Sequence, residues 1–285
     1  MSLLAFPSKY AIITEIFHIE AILLELIDFH CHIYPDPVAA KASASIRDFY
    51  EIGSGDLAGT VDNLLTCGKA AGISRYVVLP VSLKPERTQH INDFIVSQLA
   101  DHPEFTGFGT LHAAMDGIMD ETQRIIDLGL KGIKMHPDSQ VFAIDDPRLF
   151  PVYEHIQGKI SVMLHMGDRR YDYSHPARLR RVLELFPNLD VIAAHFGGYS
   201  MYETAYELLH DKNCVFDVSS SLMFMPEGEA EKYIRAYGAE RMLFGTDFPL
   251  WNPIDETRRF LQLKLTDAEF EQIGSKTALR ILKEI

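Results

Sequence analysis

The chain has 285 residues, 47% hydrophobic and 24% charged, an ordinary globular composition with room for one large core. Its formal net charge is −13 at pH 7, and no Lys/Arg run supplies the basic stripe that a phosphate backbone requires. Nucleic acid is thereby excluded as the expected partner. Small molecules are not, since a few local cations can reverse the field inside a pocket even when they are anionic.

Residues 11–27 are strongly apolar, but Glu15, Glu20 and Glu25 interrupt the run and no basic segment precedes it. Neither a signal nor a membrane span is expected. Residues 1–25 therefore read as an N-terminal extension, a helix or strand packed on the main domain or on a second copy in a homodimer. From Leu26 onward short β-rich runs alternate with longer helical stretches. The predicted strands are Leu26–His32, Ser74–Val81, Thr106–His112, Lys131–His136, Ile160–His165, Val191–His195, Cys214–Val218 and Arg241–Asp247. Their apolar runs suit strands covered on both faces. Between the first two, Asp56–Ala71 carries Leu57, Val61, Leu64 and Leu65 at helical spacing. Asp146-Pro147 is a helix start, with Pro at the first helical position. Thr266-Asp-Ala-Glu269 is a capping box that opens an extra C-terminal helix.

Eight strands with intervening helices and no linker predict an α/β fold, a single (β/α)8 TIM barrel over residues 26–285. A doubly wound open sheet would place a Gly-rich phosphate loop after the first strand, where this chain has His-Cys-His-Ile-Tyr-Pro. The three cysteines, Cys31, Cys67 and Cys214, are widely spaced, which argues against a disulfide framework and fits a reducing cytoplasm. Cys31 alternates away from its flanking histidines and reads as a small core residue.

Six of the twelve histidines fall at predicted strand ends: His30, His32, His112, His136, His165 and His195, with Asp247 ending the last strand. Those ends are where catalytic groups converge in a barrel. His30 and His32, two residues apart on a strand, share a face and can reach one ion. Imidazole nitrogens with a carboxylate oxygen suit Zn²⁺, and also Mn²⁺, Fe²⁺ or Co²⁺.

Asp28-Phe-His-Cys-His-Ile-Tyr-Pro-Asp36, Lys131-Gly-Ile-Lys-Met-His-Pro137, His165-Met-Gly, Ala194-His-Phe-Gly-Gly198 and Phe244-Gly-Thr-Asp-Phe-Pro249 resemble the amidohydrolase superfamily. They are most similar to its amidohydrolase-related branch, which holds aminocarboxymuconate-semialdehyde decarboxylases beside many barrel hydrolases. The resemblance runs from about residue 26 to the C-terminus. It implies one divalent ion held by His30, His32, His165 and Asp247, with His195 beside it as acid/base. Binuclear relatives bridge two metals with a carboxylated lysine on strand four, where this chain has Lys134; a lysine facing the barrel interior or the substrate is the preferred reading, without a second metal. Arg169 and Arg170, directly after the His165 strand, are candidates to clamp a substrate carboxylate. His112, His136 and Lys134 would line the same pocket, and the long segment from Ile33 to about Ser54 would cover it.

The expected activity is hydrolysis of an amide, lactone or ester in a small, carboxylate-bearing molecule. An ion there would acidify a water molecule, Asp247 would take its proton, and His195 would steady the oxyanion or protonate the leaving group. The alternative is a non-oxidative decarboxylase using the same groups. A non-catalytic metal-binding barrel is the third reading, weakened by the presence of Asp247 and His195 together.

Overall fold

Every strand pair runs parallel and follows chain order, as strand–helix–strand crossovers require. In the computed structural model, which describes residues 24–285 apart from Ser54 and Asp56, the strands are β1 (Leu26–Cys31), β2 (Ile73–Val78), β3 (Phe105–Gly107), β4 (Gly109–Thr110), β5 (Gly132–Met135), β6 (Ser161–Leu164), β7 (Val191–Ala193), β8 (Val215–Asp217) and β9 (Met242–Leu243). β3 and β4 are two pieces of one stave, interrupted at Phe108. Phe108 N donates to Val78 O (3.1 Å), and Lys131 N to Gly107 O (2.9 Å), so the two ladders form one sheet. Closure comes from Phe29 N on Phe244 O (2.9 Å), Asp247 N on His30 O (2.8 Å) and His32 N on Phe248 O (2.7 Å). The result is the expected eight-stave barrel.

Side-chain alternation divides the apolar residues into two layers. Ile133, Met135, Val162 and Leu164 face the helices, while Ile27, Phe29, Val77, Phe108, Met163 and Ile192 fill the interior. Phe29 and Phe108 meet edge to face inside, with centroids 5.8 Å apart. Cys31 is buried in the outer layer as a free thiol.

The helices are α1 (Asp36–Tyr50), α2 (Val61–Ala70), α3 (Thr88–Asp101), α4 (Ile118–Asp127), the single turn α5 (Pro137–Gln140), α6 (Phe150–Ile156), α7 (Pro176–Leu185), α8 (Tyr202–Leu209), α9 (Glu229–Tyr237), α10 (Pro253–Leu261), α11 (Asp267–Glu271) and α12 (Thr277–Ile281). α2 begins later than its sequence pattern suggests, because Thr60 caps it by accepting from Asn63 N at 3.2 Å. Asp146 caps as expected, and its turn Pro147–Leu149 leads into α6. The Thr266/Glu269 capping box is present. It opens a helical run to Ile281 whose Ala278, with the following Leu282, joins the interior cluster at the strand starts. No helix of the described residues is long and apolar enough to cross a membrane. The helix or strand expected over residues 1–25 falls, up to residue 23, outside the described residues.

Candidate active site

His30 and His32 leave β1 where its register with β2 shifts, between Asp28 and Cys31. The His30 amide turns to Asp28 Oδ1 (3.1 Å), and the same carboxylate accepts from Thr246 N (2.9 Å) and Thr246 Oγ1 (2.6 Å). Asp28 thus binds the first stave to the last directly beneath the site. Burial pushes its carboxyl up to about 6, against the pull of those hydrogen bonds.

Each β1 histidine has one ring nitrogen occupied. His30 Nδ1 lies 2.7 Å from Asp217 Oδ2 and His32 Nδ1 lies 2.6 Å from Leu79 O. Since both partners are acceptors, the protons sit on Nδ1, leaving each Nε2 as an unprotonated acceptor. Those two Nε2 atoms face a third acceptor, Asp247 Oδ1, at 3.5 Å for His30 and 3.3 Å for His32. Three acceptors converge there, only one of them answered by Lys134 Nζ, and Nε2/Nε2/carboxylate is a donor set that divalent metals take. The residues fit a metal. Burial, and secondarily Lys134, lowers His30 to about 4, which keeps it neutral. Asp217 is held below the usual carboxylate range; burial opposes this, and His30, which donates to it through Nδ1, overcomes it together with the His195 amide.

His165 is next to this trio rather than inside it. Its Nδ1 is 3.1 Å from His195 Nε2, and the His195 ring stacks on His30 with centroids 5.2 Å apart. His195 Nδ1 donates to Ser219 O (3.0 Å), so Nε2 is its working nitrogen. Alternation along β6 places His165 inward after Met163. His195 directly follows the interior residue Ala194, and its backbone takes the left-handed region, φ 59°. On the other side His165 stacks on His136, centroids 3.9 Å apart and planes 6° from parallel. Asp138 Oδ2 lies 3.6 Å from His165 Nε2. His136, Asp138 and His165 thus form a second His/Asp group beside the first, in which Asp138 is also engaged by the Ser174 hydroxyl.

Lys134 is buried, with Nζ 3.1 Å from His30 Nε2, and burial lowers it to about 8. It shares the barrel interior with His136, as alternation predicts.

A cavity of about 400 Å³ opens above these groups, lined by His30, His32, Lys134, His136 and Asp247 below and by α1 above. The expected cover is therefore a helix, whose Val38, Ile46, Phe49 and Tyr50 face the cavity. Tyr50 had no signal in the sequence. Its hydroxyl is 2.8 Å from His136 Nε2 and 3.4 Å from both His165 ring nitrogens. Because His136 Nδ1 accepts from Ser139 N (3.3 Å), neutral His136 donates to Tyr50 through Nε2.

Three expected pocket residues are elsewhere. His112 accepts from Ala114 N (3.1 Å) and packs edge-on against Phe142, off the cavity wall. Arg169 is exposed and joins the fold through its amide, 3.4 Å from Ser200 Oγ. Arg170 is already paired: it grips buried Asp168 through Nε (3.0 Å) and Nη2 (2.7 Å), donates to Phe49 O (2.8 Å), and lies over the Phe49, Tyr50 and Tyr171 rings. Among the described residues, the cationic side chains on the cavity wall are Lys41 and Lys134.

Asp217, Ser219 and Ser220 were also missed. Asp217 ends the seventh stave, and an acid inside the apolar run Cys214–Val218 was the available signal. The serines follow it in a turn whose contacts only folding creates.

The Amidohydrolase family profile matches residues 27–283. The chain belongs to the amidohydrolase family. It is 26% identical over 201 residues to 2-amino-3-carboxymuconate-6-semialdehyde decarboxylase of Dictyostelium discoideum, an alignment covering 56% of each, so it matches about half of that curated relative's length. Among solved structures it resembles an uncharacterised TIM-barrel protein of Bordetella bronchiseptica, with TM-score 0.77 and 25% identity over 92% of this chain and 99% of that one. It also resembles a dihydroxybenzoic acid decarboxylase of Polaromonas, solved with bound manganese, with TM-score 0.71 and 19% identity over 91% and 97% of the two chains. Amidohydrolase membership and this donor set make the chain an enzyme of the superfamily with a divalent-metal site.

Proposed function

We propose that this amidohydrolase is a metal-dependent, non-oxidative decarboxylase of a small carboxylic acid. The observation that carries it is the convergence of His30 Nε2, His32 Nε2 and Asp247 Oδ1 at the floor of a largely apolar cavity. The decarboxylase names of the curated relative and of the manganese-bound neighbour favour C–C cleavage over hydrolysis. This reverses the preference for hydrolysis drawn from the sequence.

His30, His32 and Asp247 would hold the ion, with His165 added as the fourth ligand by the family resemblance from beside the trio, and Zn²⁺ and Mn²⁺ are both compatible with the donors. When bound, the ion supplies positive charge that holds substrate oxygens and stabilises the electron pair left behind as CO2 departs. His195, with Nδ1 fixed on Ser219 O, presents Nε2 to deliver or relay the proton that the departing carboxylate's carbon requires. Lys41 and Lys134 take the anion-attracting role assigned from sequence to Arg169 and Arg170. Val38, Ile46, Phe49 and Leu250 exclude water and disfavour a carboxylate relative to neutral CO2.

The test is a screen of Mn²⁺- and Zn²⁺-loaded protein against unsaturated and aromatic carboxylic acids, lactones and amides, with CO2 followed separately from acid release. Metal-dependent CO2 release from an acid is expected. Turnover of lactones or amides, with no CO2 from any acid, would restore the hydrolase.

A further inference from the structure

Ser220 and Trp251 come from different loops, the first after β8 and the second after β9, and they meet at Asp247. Trp251 Nε1 donates to Ser220 Oγ at 2.8 Å, and Ser220 Oγ donates to Asp247 Oδ2. Direction follows from chemistry alone. An indole N–H can only donate, so Ser220 accepts from it and must turn its single hydrogen toward the carboxylate. Ser220 is buried and left-handed, φ 51°, so its hydroxyl is set by the loop rather than by local preference. Asp247 is itself left-handed, φ 59°, and a turn in which Leu250 N donates to Asp247 O (2.9 Å) brings Trp251 back over it. The indole packs edge-on against Phe224, centroids 5.9 Å apart, which fixes its plane.

We propose that Trp251 and Ser220 form a one-way hydrogen-bond relay that dedicates Asp247 to holding the metal. With Oδ2 occupied, the carboxylate cannot rotate about its last bond, and Oδ1 remains opposite the Nε2 atoms of His32 and His30. Ser220 and Trp251 are positioning residues acting through Asp247, and the inference rests on the reading of Asp247 as a ligand. Loss of such outer partners typically weakens metal affinity by about 10–100-fold. Trp251 is also the chain's single tryptophan, so its emission reports directly on a group two hydrogen bonds from the ion.

The experiment measures Co²⁺ affinity of the full chain by chelator competition, alongside tryptophan emission and the unfolding midpoint of the metal-free protein. In the wild type, Co²⁺ changes the emission with the midpoint given by competition. Ser220→Ala weakens Co²⁺ by about 10–100-fold. Trp251→Phe keeps the ring but loses one neutral hydrogen bond, weakening Co²⁺ by about 3–10-fold. Because Trp251 acts through Ser220, the double variant binds no more weakly than Ser220→Ala alone. Ser220→Ala binding Co²⁺ within twofold of wild type overturns the relay, as do single effects that multiply in the double variant. Should Ser220→Ala not fold, wild-type affinity in Trp251→Phe overturns it equally. A wild type that takes up no Co²⁺ removes the metal reading itself, an outcome distinct from these.

Discussion

His195 and His165 touch at 3.1 Å, yet their remaining nitrogens face different partners, Ser219 O for one and the Asp138 side of the site for the other. That asymmetry divides their roles. His195→Asn is expected to keep most of the metal while losing about 10²–10⁴-fold in turnover, whereas His165→Asn and Asp247→Asn lose metal as well; elemental analysis beside kinetics makes the comparison. Equal metal loss in all three would mean the roles are wrongly divided. A second residue-scale test concerns Glu256 on α10, buried and paired with Arg259. Burial pushes its carboxyl from 4.5 up to about 7, with Arg259 pulling the other way. The folded chain therefore holds this proton more tightly than the unfolded one. The resulting stabilisation is complete below about pH 4.5 and fades as pH rises through about 7, a change on the order of 3 kcal/mol. Glu256→Gln should flatten that part of the stability–pH curve, as denaturant unfolding at several pH values would reveal. An unchanged slope would show that another group produces it.

At the scale of elements, α1 is the cover, and two arginines hold it. Arg47 Nη2 reaches Leu250 O at 2.9 Å, beside the Asp247 turn, and Arg170 ties Phe49 O to Asp168. Helix C-termini leave unpaired carbonyls, and Arg170 satisfies one while complementing the dipole. The sequence suggested a substrate clamp because two arginines directly follow a ligand strand. Whether a guanidinium is free depends on what the fold sets beside it, and here that is Asp168 and three aromatic rings. Arg170→Met should therefore speed amide exchange in residues 36–50 by about tenfold, the effect of losing a partly exposed charge-assisted contact. It should impair anionic and neutral ligands alike. Unchanged exchange, with a defect confined to anions, would return Arg170 to the substrate.

For the whole molecule, three of the four proposed metal ligands, His30, His32 and Asp247, come from the first stave and the residues after the last, with His165 from the fifth, so an ion there would span the seam where the barrel closes. One ion per chain should raise stability by about 2.7 kcal/mol at a hundredfold excess over Kd, equivalent to roughly 5–10 °C in melting temperature for a domain of this size. Chelation should reverse this, and a midpoint insensitive to chelator would mean that the folded chain holds no ion. The alternation of apolar runs with helical stretches determined the eight-stave barrel without help, because strand and helix periods are local. The histidines and the acid at strand ends were legible for the same reason, since a barrel gathers the ends of all its strands at one mouth. Even the inward orientation of Lys134, His136 and His165 follows from counting alternate residues. Other features depended on tertiary structure. His195 and Asp247 reach the site through left-handed residues that no period encodes. Tyr50, Ser220 and Trp251 are ordinary in sequence and enter the site because α1 and the loops after β8 and β9, neighbours around the closed barrel, fold over the mouth. Arg170 left the site because a buried aspartate two residues away took its charge, and pairing of that kind is decided only when the chain closes on itself.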